Sequence, residues 1–130
     1  MVGVMVGVAT TVLVADDDAD LRLLVRVVLE RAGFDVVEEA IDGEATIEAV
    51  TRLDPPPTPT VMVLDNAMPG LTGLQVAERV LARIPSQRIV LFSSYLDGEV
   101  EQRADEIGIA RCVAKPDVHE LPSILSDLLA

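Results

Sequence analysis

Val12-Leu13-Val14-Ala15-Asp16-Asp17-Asp18-Ala19-Asp20-Leu21-Arg22 (VLVADDDADLR) changes character twice in a short space. Val12 to Val14 is an apolar run of strand type that stops abruptly at three acids, as a buried strand does where it leaves a core. From Leu21 the period changes: Leu21, Leu24, Val25, Val28 and Leu29 recur at helical spacing, while Arg22, Arg26 and Glu30 lie off that stripe. Asp18 is placed to cap this helix and Gly33 to end it. The stretch reads as strand, acidic turn, helix.

The same unit recurs outward along the chain. Phe34 to Val37 is expected as a second strand, and Asp42 to Leu53 as a second helix with Ile47, Val50 and Leu53 inward. Asp54-Pro55-Pro56-Pro57-Thr58-Pro59-Thr60 suits neither helix nor sheet interior, and reads as a stiff spacer rather than a peptide ligand. Val61 to Leu64 is a third strand, followed by a helix over Thr72 to Ile84 that buries Ala77, Val80, Leu81 and Ile84. Ile89 to Phe92 is a fourth strand, followed by a polar, exposed helix near Gly98 to Glu106. Cys112 to Ala114 is a fifth strand, and the closing helix buries Leu121, Ile124, Leu125, Leu128 and Leu129. Five strand–helix units in alternation predict an α/β fold, a doubly wound five-stranded parallel sheet with helices on both faces. The expected organisation is a single domain over residues 10–130, preceded by an N-terminal extension over residues 1–9 in which MVGV occurs twice.

Composition narrows the function. The chain has 130 residues, half of them apolar, with 22 acidic and 10 basic side chains and a net charge of −12. That is enough for one domain with a core, and too apolar for disorder. An acidic chain without a basic cluster is a poor partner for nucleic acid or for an anionic membrane. The uncharged start, Met1 to Ala15, is too short to span a bilayer and lacks the basic segment of a secretory signal. One cysteine (Cys112) and one histidine (His119) allow neither an internal disulfide nor a Cys/His zinc site, which points to a cytoplasmic protein. The basic residues comprise nine arginines and one lysine, Lys115.

In open α/β sheets, ligands bind beyond the carboxyl ends of the strands. The residues at those ends are Asp16 and Asp17, then Asp65, Ser93 and Lys115. If the first and third strands are neighbours, three carboxylates converge and need neutralising. A divalent cation with hard oxygen ligands does this, and Mg2+ keeps open positions for phosphate oxygens. An aspartate can accept a phosphoryl group, with a lysine and a hydroxyl balancing its charge, which suggests Asp65 as nucleophile, Lys115 as ammonium and Ser93 as hydroxyl. Each residue alone has a plainer reading. The three acids fit a capping turn, Asp65 a loop acid before Met68-Pro69-Gly70, Ser93-Ser94 a helix cap, and Lys115 a solvated charge. Their joint placement at the same end of different strands favours a common site.

Four stretches together, VLVADDDADLR, VMVLDNAMPGLTG (Val61 to Gly73), VLFSS (Val90 to Ser94) and VAKP (Val113 to Pro116), resemble the response-regulator receiver domains of two-component signalling, of the CheY-like type. The resemblance covers about residues 10 to 130. It implies a flavodoxin-like (βα)5 fold with strand order 2-1-3-4-5. It further implies that Asp65 is the phosphoacceptor, taking its group from the phosphohistidine of a histidine kinase or a phosphotransfer protein. Mg2+ would be held by Asp16, Asp17, Asp65 and the backbone carbonyl of Ala67, directly by Asp17 and mainly through water by Asp16. Ser93 would be the switch hydroxyl and Lys115 the phosphate-binding ammonium. The surface of the fourth helix, fifth strand and fifth helix would switch, and would also serve a receiver homodimer.

Some positions depart from the family pattern. Cys112 stands where the family has Tyr or Phe, as a small apolar filler rather than a redox sensor, which questions the usual coupling of hydroxyl and aromatic. Asp117 follows Lys115-Pro116 where an apolar residue is common. Ala67 and Tyr95 occupy positions that tune phosphate loss and carry no group to orient water, so slow self-dephosphorylation is expected, with Tyr95 shielding the phosphoryl group. The resemblance further implies that the chain is not a conventional enzyme. The alternatives are a receiver-fold interaction scaffold working without phosphorylation, and a dehalogenase-type phosphatase, which Ala67 opposes by lacking a general acid.

Overall fold

The computed structural model describes residues 10–53 and 59–130, with Leu53 described in its backbone only. The expected extension over residues 1–9, residues 54–58 of the spacer and the inward Leu53 side chain lie outside the described residues. The chain runs β1 (Thr11–Ala15), α1 (Ala19–Arg31), β2 (Asp35–Ala40), α2 (Gly43–Leu53), β3 (Val61–Leu64), α3 (Gly73–Arg83), β4 (Arg88–Ser93), α4 (Gly98–Ile107), β5 (Arg111–Ala114) and α5 (Leu121–Leu129). A 3₁₀ turn over Lys115–Glu120 joins β5 to α5. All strand pairs are parallel, in the order β2-β1-β3-β4-β5. The expected architecture and strand order are those observed.

Alternation along the strands divides the core in two. Leu13, Ala15, Met62, Leu64, Ile89 and Leu91 face one side and pack with Ala49, Val50, Val76, Ala77, Val80 and Ala104 of α2, α3 and α4. Val12, Val14, Val61, Val63, Val90 and Phe92 face the other and pack with Val25 and Leu29 of α1 and Leu121 and Leu125 of α5. The middle strands are therefore apolar on both faces, which explains their unbroken runs in the sequence.

The helix boundaries follow local chemistry. Asp18 caps α1, accepting from the amides of Asp20 and Leu21 at 3.0 and 3.2 Å, and Gly33 follows the helix with φ of +95°. Thr72 and Gln75 form a reciprocal capping box at the start of α3. The cap of α4 is Asp97, which accepts from Val100, so the reading of Ser93-Ser94 as a helix cap does not hold. On α1 the stripe is narrower than expected, with Leu24 39% exposed. Strand β2 runs further than expected, through Glu38 and Glu39 to Ala40, with a register shift against β1 between Val12 and Leu13. Two adjacent glutamates disguised it, yet on an edge strand they are held by Arg52 and by Arg22 and Arg26. Among the described residues, no helix is long and apolar enough to cross a membrane.

Candidate functional site: an acidic pocket closed by one lysine

Parallel pairing of β1 with β3 aligns Ala15 with Leu64, so the residues that follow emerge side by side. Asp16 and Asp65 are nearly fully buried there, at 2% and 3% exposure, while Asp17 is exposed. The sheet grips both buried acids by their amides: Asp16 N–H donates to Ala40 O at 3.0 Å, and Asp65 N–H donates to Ala15 O at 2.9 Å. One carboxylate oxygen of each is used locally, Asp16 Oδ1 accepting from Asp18 N–H at 2.9 Å and Asp65 Oδ1 from Ala67 N–H at 3.2 Å. The other oxygens face Lys115, whose Nζ lies 3.0 Å from Asp16 Oδ2 and 3.2 Å from Asp65 Oδ2. Oxygens of Asp16, Asp17 and Asp65 all lie within 4.8 Å of one another.

The loop after Asp65 is shaped by two further residues. Asn66 accepts from Leu74 N–H through Oδ1 and from Gly73 N–H through its carbonyl, both at 3.1 Å. Gly73 has to be glycine because a Cβ would run into the Asp65 carbonyl. The start of α3 thereby comes directly against the residue that presents Asp65.

The charges are unequal. Three carboxylates face one ammonium, a formal −3 + 1 = −2 if all are ionised. Burial pushes the Asp16 carboxyl above its ordinary value; the Asp18 amide and Lys115 oppose that shift, and the charge of Asp65 adds to it. For Lys115, burial pulls the pKa down, but the hydrogen bond to Asp16 and the charges of Asp65 and Asp16 outweigh it and leave it raised. A dense set of hard oxygens, one exposed and two buried, fits a small divalent cation of the Mg2+ kind.

The remaining expected residues are differently placed. Ser93 ends β4 and is 2% exposed; its Oγ accepts from Tyr95 N–H at 3.5 Å rather than meeting the acids. Ala67 is tied to Asp65 through its N–H. Tyr95 is 73% exposed. Cys112 is half-buried against the core, where burial, with the charge of Glu101, pushes its thiol pKa up, as suits an apolar filler. Asp117 is exposed in the 3₁₀ turn. Sequence reasoning missed Arg22, which reaches the carbonyl of Asp16 at 2.7 Å. Its position off the apolar stripe of α1 marked it only as solvated.

Comparison with known proteins agrees with this fold. The family model described as the response regulator receiver domain matches residues 12–126. A protein-glutamate methylesterase/protein-glutamine glutaminase of Caulobacter vibrioides is 34% identical over 114 residues, covering 85% of this chain and 31% of that protein. The chain spans about a third of the length of the curated methylesterases it matches. The signal receiver domain of a Mycobacterium tuberculosis response regulator, NarL, superposes with a TM-score of 0.79 at 28% identity, covering 94% of this chain and 98% of that one. The CheX–CheY–BeF3–Mg complex of Borrelia burgdorferi gives a TM-score of 0.86 at 18% identity, over 92% and 89% of the two chains, a likeness of fold. By its matched residues and its strand order, the chain belongs to the response-regulator receiver-domain family.

Proposed function

We propose that this receiver domain accepts a phosphoryl group on Asp65 from the phosphohistidine of a histidine kinase or phosphotransfer protein. The observation behind this reading is the single ammonium of Lys115 set between Asp16 and Asp65, with Asp17 in reach of both. In the transfer an Asp65 carboxylate oxygen forms a bond to phosphorus as the phosphorus–nitrogen bond of the donor breaks. The electron pair stays on the imidazole nitrogen, and the product is an acyl phosphate. Lys115 balances charge on the phosphoryl oxygens, and the Ser93 hydroxyl, at the end of β4, turns from Tyr95 N–H to donate to one of them. Asp16, Asp17, Asp65 and the Ala67 carbonyl would hold Mg2+, which supplies charge neutralisation where three acids meet a phosphoryl group.

Inward movement of Ser93 and Lys115 shifts the surface of α4, β5 and α5, which then meets the output partner or a second receiver. The small Cys112 leaves that shift without the aromatic that accompanies it in relatives. A cytoplasmic location follows from a kinase donor. A scaffold acting without phosphorylation is not favoured, because the acids and the lysine are already assembled.

Incubation with acetyl phosphate and Mg2+ is expected to add one phosphoryl group, seen by intact mass, and Asp65→Asn to abolish it. Persistent labelling of that variant at an aspartate refutes the assignment. With Ala67 and Tyr95 offering no group to orient water, the phosphorylated form should outlast minutes; a lifetime of seconds refutes this part.

A further inference from the structure

We infer that Arg22 is a positioning residue for the acidic pocket, mooring the loop that presents Asp16 and Asp17 to the edge strand β2. Its Nη1 donates to the Asp16 carbonyl at 2.7 Å, and its Nε donates to Glu39 Oε1 at 3.3 Å. The side chain is only 16% exposed, so these contacts are not those of a free surface arginine. Glu39 is itself held from the other side by Arg26, whose Nε donates to its Oε2 at 2.7 Å, and Arg26 also pairs with Glu30. Two guanidiniums thus face two carboxylates, and the group is formally neutral.

The consequence concerns one peptide unit. Asp16 N–H is fixed by Ala40 O, one residue beyond Glu39 on the same strand. Asp16 C=O belongs to the peptide that joins it to Asp17, and Arg22 fixes that plane. With both sides of Asp16 tied to β2, the direction in which Asp17 leaves the backbone is set. Asp17 has no tie of this kind in its own side chain: it is exposed, and it completes the carboxylate cluster. Arg22 holds it in register without adding net positive charge to compete with a cation, because Glu39 and Glu30 together balance Arg22 and Arg26. An outer ligand partner of this kind typically matters several-fold or more in metal affinity.

This inference rests on the proposed acidic pocket, and the test separates the two. Mg2+ binding to the whole chain is measured by calorimetry, and melting of the same samples is measured without metal. Arg22→Ala is expected to raise the Mg2+ Kd roughly tenfold. Arg26→Ala removes the neighbouring arginine from the same glutamate without touching Asp16, and should change the Kd by no more than about twofold even where it lowers the melting temperature equally. Glu39→Gln keeps the shape of the mooring point and should raise the Kd about threefold, so the proposal stays testable if Arg22→Ala does not fold. Equal loss of affinity in the Arg22 and Arg26 variants, or an unchanged Kd in the Arg22 or Glu39 variant, overturns the positioning role alone. Failure of the unaltered chain to bind Mg2+ overturns the pocket reading and the positioning role together.

Discussion

At the scale of single residues, the run Asp16-Asp17-Asp18 shows how identical side chains take different tasks. Asp18 caps a helix, Asp16 is buried against a lysine, and Asp17 stands in solvent. The raised pKa of Asp16 has a definite sign in stability. The folded carboxyl holds its proton more tightly than the unfolded one, so its contribution is full below the ordinary value of 3.8 and fades as pH rises through the raised folded value. At neutral pH, without metal, its charge is a cost. Asp16→Asn should therefore stabilise the metal-free protein by about 1 kcal/mol, with a rise in melting temperature of about 4 °C. A fall in melting temperature contradicts this. Lys115 behaves as a gained partner: its contribution is full below its ordinary 10.5 and is lost as pH climbs through its raised folded value.

At the scale of elements, what matters is how closely α3 approaches the end of β3. The motif Asp65-x-x-Met68-Pro69-x-x-x-Gly73 has a steric reason in its last position, since any Cβ there meets the Asp65 carbonyl. Gly73→Ala is expected to cost about 2 kcal/mol, read from the midpoint of urea unfolding, and to weaken phosphorylation of Asp65 with it. Unchanged stability would show that the helix start can move away freely. The elements were unequally legible. Strand β3 was readable residue for residue because it is apolar on both faces. The end of β2 was not, because Glu38 and Glu39 look like a turn until their arginine partners on other elements are known.

At the scale of the whole molecule, an excess of acids is gathered at one end of the sheet, so binding there should report on folding. A cation that binds only the folded state stabilises it by mass action, about 1.4 kcal/mol at ten times its Kd. Adding Mg2+ should raise the melting temperature by about 5 °C at that level, EDTA should reverse the rise, and Asp17→Asn should remove it. No rise in the unaltered chain contradicts the pocket. The net charge of −12 is otherwise spread over exposed helix faces such as Glu99, Glu101, Asp105 and Glu106 of α4.

The sequence by itself determined the alternation of strands and helices, the direction of the strands and the end of the sheet at which Asp16, Asp17, Asp65, Ser93 and Lys115 gather. Those features follow from local periodicity and from where apolar runs stop, which neighbouring residues report. Tertiary structure alone decided the partners across elements. It showed that Lys115 sits between Asp16 and Asp65, and that Arg22 on α1 reaches the Asp16 carbonyl while moored to Glu39 on β2. Such contacts join separate elements through long side chains. No periodicity encodes them; the Lys115 contacts depend on how the sheet gathers its strand ends, and the Arg22 contacts on the packing of α1 against β2.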